Sequence, residues 1–340
     1  MALFDSINQM KDAQRGTTRR RFLIGGIASV VTYFGYRLWR FRARPVTNRA
    51  TKFITPNADF YTISIDEGFR PTIRLEDWRL DFEVAGNPAF SLNYDELLKR
   101  ENRCVYKTFM CVGNEVGGPA LGNAEWRVTP LAPLLHQALG AVPRENLRVI
   151  FHALDGFYSS VPLDVALSEH AFIAWQMNGE NLSLRHGFPA RVLLPGKYGM
   201  KQPRWLSKIE IAAAPWFKGY WETRGYSDSC DIKMTARIDY AMKQSGGDWL
   251  ITGVAFCGAQ PVGQVEISFD EGRTWQAAKI TSDKMSEAWT SWEITWQPEK
   301  SGEVILSARV IDARGNRQSE GNSGSFPSGS SGLHRVIVNV

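Results

Sequence analysis

The chain has 340 residues, 44% hydrophobic and 22% charged, which excludes a disordered or fibrous protein and leaves material for two cores. Its net charge of +5 sits at one end: residues 1–50 hold ten Lys and Arg against two Asp, so the rest sums to −3. A basic excess confined to a leader argues against a nucleic-acid partner for the folded body. The four Cys, at positions 104, 111, 230 and 257, show no C-x-x-C pair and no C-x-x-C-H haem site. The five His are scattered, so a zinc cluster is not indicated. Cys104 and Cys111 leave two readings open, a disulfide in an oxidising compartment or a metal ligand.

In the leader, Arg19-Arg20-Arg21-Phe22-Leu23 is followed by an apolar run from Ile24 to Trp39. A basic segment before an apolar one reads as an export signal, and the paired arginines followed by Phe22-Leu23 resemble a twin-arginine signal. Arg40, Arg42 and Arg44 follow where a small-residue cleavage site would stand. The expectation is therefore a periplasmic protein whose leader can remain as an N-terminal membrane anchor, although the run is at the short end for a span.

Residues 51–215 read as an irregular α+β mixture. Strands are expected at Arg79–Val84, Leu147–His152 and Arg191–Pro195. Helices are expected at Tyr94–Arg100, capped by Asn93, at Leu131–Leu139, started by Thr129-Pro130, and at Leu163–Leu167. Neither a G-x-G-x-x-G dinucleotide fingerprint nor a phosphate-binding P-loop occurs. An aromatic, glycine-rich connection follows at 216–230. Beyond it come short alternating runs, at Trp249–Phe256, Gln264–Phe269, Thr290–Trp296, Val304–Ile311 and His334–Val340. Turn signals such as Asp270-Glu271-Gly272 separate them, the pattern of an all-β sandwich. The Gly- and Ser-rich tract from Gly321 to Gly332 reads as a long mobile loop before the last strand.

Around Cys111 the sequence Phe109-Met110-Cys111-Val112-Gly113-Asn114 resembles the sulfite oxidase family, in which a Cys before x-Gly-Asn ligates molybdenum. Further ordered segments carry the resemblance. They are Thr55-Pro-Asn-Ala-Asp-Phe60-Tyr61, Ala124-Glu-Trp126, Asp155-Gly-Phe-Tyr-Ser-Ser160, Arg185-His186-Gly-Phe-Pro-Ala-Arg191 and Pro195-Gly-Lys-Tyr-Gly199-Met-Lys201-Gln-Pro-Arg204-Trp205. Val265–Trp275, Trp289–Trp292 and Ala308–Asp312 extend it through the second half, to about residues 51–340.

The resemblance implies an α+β molybdopterin-binding domain of sulfite oxidase type over 51–228, then an immunoglobulin-like β-sandwich of dimerisation type over 229–340. It makes Cys111 the thiolate that completes the sulfur set of a molybdenum held by a pterin dithiolene; a soft metal suits a soft ligand. Alone, Cys111 would read as a small buried hydrophobe. Arg191, Lys201 and Arg204 fall where the family supplies cations to the pterin phosphate, and His186 is a matched ring donor. Phe60, Asn114, Ser160 and Gly199 are further cofactor contacts, and Tyr226 aligns with a tyrosine near the metal that can donate or relay a proton. Asp155 reads as a turn residue.

One departure matters. Sulfite is a dianion held in this family by arginines, and the matching positions here are Ile63, Val116, with Glu115 beside it, and a position near Phe326. Such losses cost several kcal/mol for a buried anion, so ordinary sulfite binding is not expected. Arg127 is a candidate relocated cation or a strand-edge surface charge.

The expected activity is oxygen-atom transfer on a small, less anionic substrate. No haem, flavin, NAD or Fe–S motif is present, which implies a separate redox partner, a cytochrome or a membrane electron carrier. The alternatives are a sulfite dehydrogenase with rearranged cations, and an anchored immunoglobulin-like binding protein with a vestigial catalytic domain. A homodimer through the sandwich and a tethered monomer both remain open.

Overall fold

The computed structural model describes residues 52–142 and 144–340. The export and anchor readings of the leader fall outside them. Eighteen strands follow in chain order. The first ten are β1 (Arg79–Val84), β2 (Asn87–Asn93), β3 (Arg103–Met110), β4 (Leu121–Pro130), β5 (Arg148–Ala153), β6 (Tyr158–Pro162), β7 (Phe172–Met177), β8 (Glu180–Asn181), β9 (Arg191–Leu193) and β10 (Leu206–Ala212). Three helices interrupt them: α1 (Tyr94–Leu98), α2 (Leu131–Leu139) and α3 (Leu163–Ala166). The remainder are β11 (Thr235–Lys243), β12 (Trp249–Phe256), β13 (Val262–Ser268), β14 (Gln276–Ala277), β15 (Lys279–Ile280), β16 (Thr290–Trp296), β17 (Glu303–Asp312) and β18 (His334–Asn339).

The first half builds two sheets. One has the order β2-β1-β10-β5-β6, antiparallel except for the β1–β10 pair. The other has the order β3-β4-β7-β8, with β9 added against β7. Alternation in β1 turns Leu80 and Phe82 inward, onto α2 residues Leu131, Leu134, Leu135 and Leu139. Their helical spacing puts all four on one stripe. Asn93 caps α1 as expected, in a reciprocal capping box with Glu96. The start of α2 differs from expectation. Pro130, the last residue of β4, occupies the cap position without a side-chain bond, and Thr129 instead accepts a hydrogen bond from Trp175.

The second half is an immunoglobulin-like sandwich of two four-stranded sheets, β11-β12-β16-β15 and β14-β13-β17-β18. Ile251, Trp292, Val265, Ile267, Leu306, Ala308 and Val310 fill the space between them. Strand β11 escaped the sequence reading because its register slips between Ile238 and Tyr240. The slip breaks the two-residue alternation that marks a strand.

The two halves meet through polar contacts that apolar patterning does not announce. Lys107 on β3 forms a buried ion pair with Glu287 of the sandwich, and Glu287 also accepts the Gly196 N–H. The Trp289 indole donates to the Phe53 carbonyl at 2.9 Å, and its backbone N–H donates to Thr108. The Gly/Ser tract also departs from the mobile-loop reading. Ser330 donates to the Asn114 carbonyl at 2.6 Å, the Pro327 carbonyl accepts the Ser227 N–H, and Lys233 donates to the Gly329 carbonyl. The tract is a strap fastened across the first half.

Candidate active site

Cys111 follows the last residue of β3, and the chain returns into β4 at Leu121. The intervening loop is closed at its base by the Cys111 N–H, which donates to the Ala120 carbonyl at 3.0 Å. The buried Asn114 side chain accepts the Ala120 N–H at 2.9 Å, so it braces the loop from within. Gly118 leaves room for that amide, since a Cβ there would come within 2.4 Å of Asn114 Oδ1. The Gly113 N–H points at the sulfur at 3.3 Å. Burial pushes the Cys111 thiol up, and the N–H groups of Gly113 and Asn114 pull it part of the way back. Metal binding at this sulfur therefore releases a proton.

Cys111 opens into a cavity of about 280 Å³. Of the expected site residues, Phe60, Arg191, Gly199, Arg204 and Tyr226 also line it. Phe60 is buried and packs edge-on against Phe109, Trp126 and His186. Gly199 leaves the wall bare beside Tyr61, where a Cβ would come within 3.1 Å of the phenol oxygen.

Arg191 is the most informative side chain of the cavity. Its guanidinium stacks on Phe109 at 4.4 Å and on Trp126 at 5.3 Å, and donates to the carbonyls of His186 and Gln202. Among the described residues its Nε has no partner and no carboxylate pairs with it. Burial first, and the charge of Arg204 second, push it down to about 9. A buried cation in that condition lacks an anion. Two more polar atoms are buried without partners nearby, Tyr61 Oη and His186 Nδ1. Burial raises Tyr61 well above its usual range, so it stays a donor; burial lowers His186, so its ring is neutral at neutral pH. The His186 Nε2 is held by the Asn57 carbonyl at 2.8 Å.

Lys201 and Ser160 lie elsewhere. Lys201 is wholly buried, and its ammonium is surrounded by Glu222, Asp228 and the Ser160 carbonyl. Ser160 Oγ accepts from Arg148, which also forks onto Asp228. Burial works against ionisation of Asp228, but the Arg148 hydrogen bonds and the Lys201 charge outweigh it and hold it low. This charge knot is complete without a ligand and does not face the cavity. Arg204 does face it, but donates to the backbone carbonyls of Arg185 and Ile63 and stacks on Trp205. Arg127 sits on the outer surface, bonded to Asn102.

Some lining residues were not anticipated. Asp155 makes the expected turn, accepting the Phe157 N–H at 3.0 Å, and lines the cavity as well; burial raises it. Tyr61 follows Phe60 in the opening segment, and that adjacency was the available sign. Trp221 lines the cavity behind Tyr226, from the aromatic connection. Cys104 and Cys111 are both free thiols. Strand β3 separates them by roughly 20 Å at strand rise, which removes the disulfide reading.

A thiol on a braced loop beside a cavity with an anion-deficient arginine and unpartnered donors defines a site for a large anionic metal cofactor. Residues 67–221 match the family model described as oxidoreductase molybdopterin binding domain, and residues 224–326 match the Mo-co oxidoreductase dimerisation domain. The chain belongs to the sulfite oxidase family of molybdopterin-dependent oxidoreductases. It is 27% identical to mitochondrial sulfite oxidase of Drosophila melanogaster, over 81% of this chain and 57% of that protein. Against mitochondrial sulfite oxidase of Rattus norvegicus it is 27% identical, over 82% of this chain and 60% of that protein. The chain thus spans a little over half the length of these relatives. The sulfane dehydrogenase SoxCD of Paracoccus pantotrophus shares the fold, with a TM-score of 0.73 and 20% identity over 86% of this chain and 85% of that one.

Proposed function

We propose that the chain is an exported molybdenum-cofactor enzyme that transfers an oxygen atom to or from a small substrate less anionic than sulfite. One observation carries this reading: Arg191, buried without a counter-ion, shares a cavity with Cys111. The chain's donors fit the cofactor at both ends. Cys111 supplies the soft ligand, Arg191 and Tyr61 supply unpartnered donors toward an anionic group, and His186, whose Nε2–H is given to the Asn57 carbonyl, offers only an acceptor at Nδ1. When bound, the cofactor supplies two-electron redox chemistry coupled to oxygen-atom transfer. In the oxidative direction substrate and water become oxygenated product, two protons and two electrons; the reductive direction is the reverse. The electrons pass to or from a separate redox protein or membrane carrier.

The chain's own residues set the conditions for that chemistry. Tyr226 lines the cavity, and its proposed role there is to orient substrate oxygen or relay a proton. Phe109 and Trp126 flank the Arg191 guanidinium with apolar ring faces and so strengthen its hold on an anion. Ile63 lines the same cavity where sulfite-binding relatives would need a cation. The match to a dimerisation domain supports a homodimer through the sandwich. Purification from a cofactor-competent host, with metal and pterin analysis, tests the reading. Stoichiometric molybdenum and turnover with an artificial electron acceptor are expected; a protein that folds but carries no molybdenum points to a binding module instead.

A second reading draws on Arg204, whose guanidinium reaches the Ile63 carbonyl at the same wall. It is a sulfite dehydrogenase in which this cation substitutes for the missing ones. Robust turnover at micromolar sulfite selects that reading.

A further inference from the structure

Beside the cofactor cavity two large apolar side chains are left unusually bare. Ile63 is 53% exposed and Phe326 is 61% exposed. Ile63 lines the cavity directly. Phe326 borders it through Tyr226, edge-to-face at 5.2 Å, and Tyr226 packs in turn on Trp221 at 5.6 Å. Phe326 belongs to the sandwich strap, not to the domain that carries Cys111. Exposed apolar groups gathered at a cavity mouth mark a surface that a ligand covers.

The position of Phe326 is enforced from both sides. The following residue, Pro327, accepts the Ser227 N–H at 3.0 Å, one residue after Tyr226. Further along, Ser330 donates to the Asn114 carbonyl and Lys233 to the Gly329 carbonyl. Gly329 lies so close to Tyr198 that a Cβ would come within 2.2 Å of its phenol oxygen. Gly225 leaves room for the ring, since a Cβ there would stand 3.1 Å from Phe326 Cζ. The strap therefore holds Phe326 in place against Tyr226, beside the cavity that Tyr226 lines.

We infer that Phe326, delivered by the sandwich strap, is a specificity-determining residue that selects substrates whose reacting atom sits on an uncharged, apolar organic group. The aromatic lip of Trp221, Tyr226 and Phe326 offers ring faces and edges to such a group, and no charged end to an inorganic dianion. The cavity's cations do not contradict this. Arg191 is stacked deep among Phe109 and Trp126, and Arg204 is engaged with two backbone carbonyls. The inference rests on the proposed molybdenum function and deepens it by naming the substrate class.

The test is calorimetric titration of the purified, cofactor-loaded protein with two probes, methyl phenyl sulfoxide and sulfite, in wild type, Phe326→Ala and Phe326→Leu. Binding is read directly, so the outcome does not depend on finding the electron partner. Wild type is expected to bind the sulfoxide more tightly than sulfite. Phe326→Ala should weaken the sulfoxide about tenfold and leave sulfite unchanged, the scale of one lost aromatic contact. Phe326→Leu should recover part of the loss, which a general disturbance of the strap would not. The ring is mostly exposed and the strap is held by other residues, so the alanine variant keeps its fold. Unchanged sulfoxide binding in Phe326→Ala, or tighter binding of sulfite by wild type, overturns the inference. Molybdenum content separates the two levels: a metal-free protein overturns the cofactor reading and this one together, whereas a loaded protein with either adverse result overturns this one alone.

Discussion

Two buried cations from neighbouring stretches of sequence meet opposite surroundings. Lys201 is enclosed by Glu222, Asp228 and a carbonyl; Arg191 is enclosed by aromatic rings and carbonyls, with no acid beside it. Both were expected to hold the cofactor phosphate, and only Arg191 lines the cavity. Burial of a charge is therefore not the sign of a ligand site. The sign is a charge whose neutralisation the chain leaves to something else.

The contrast can be broken by substitution. Lys201→Met strands Glu222 in the interior and should destabilise the protein by about 3–5 kcal/mol, the range for breaking a buried pair. Denaturant unfolding of the cofactor-free protein measures it, and a loss below about 1 kcal/mol would mean that the knot is not a closed pair. Arg191→Met should do the reverse. It removes an uncompensated charge, so the cofactor-free protein is unchanged or more stable, while cofactor retention falls by about 10- to 100-fold, the worth of a charged hydrogen bond. Equal destabilisation by both substitutions would erase the distinction between the two cations.

A gentler probe is pH. Burial lowers both His186 and His152, the latter against the opposing hydrogen bond of Glu210. Their unfolded rings take up a proton near 6.5 while the folded rings resist it. The unfolded state then binds more protons, so stability present above that pH is lost as pH falls through it. Thermal unfolding of the cofactor-free protein should shift downward between about pH 7 and pH 5, and His186→Gln should shallow that slope. A variant with the wild-type slope would show that His186 is not held neutral.

Much of this architecture was legible in the sequence because it follows local rules. The stripe of Leu131, Leu134, Leu135 and Leu139, the Asn93 cap and the alternation of β12, β16 and β17 all speak through near neighbours. The Cys111 loop was legible through its ordered companions. What stayed hidden depends on distant partners. The carboxylates of Glu222 and Asp228 lie 21 and 27 residues from Lys201, and no spacing rule joins them. The Gly/Ser tract reads as mobile because its anchors, Asn114 and Ser227, belong to the other half of the chain. Asn114 was expected to touch the cofactor; what no spacing rule announces is that its Oδ1 also accepts the Ala120 N–H and so shapes the loop.

Everything turns on the sulfur of Cys111. X-ray absorption at the molybdenum edge of the purified, loaded protein counts the sulfur atoms bound to the metal. With a pterin dithiolene and the Cys111 thiolate, wild type should show three sulfur ligands and Cys111→Ser should show two, with activity reduced by more than about 100-fold, beyond the usual loss from an outer-shell change. Three sulfur ligands retained in Cys111→Ser would contradict the assignment of Cys111 as the ligand.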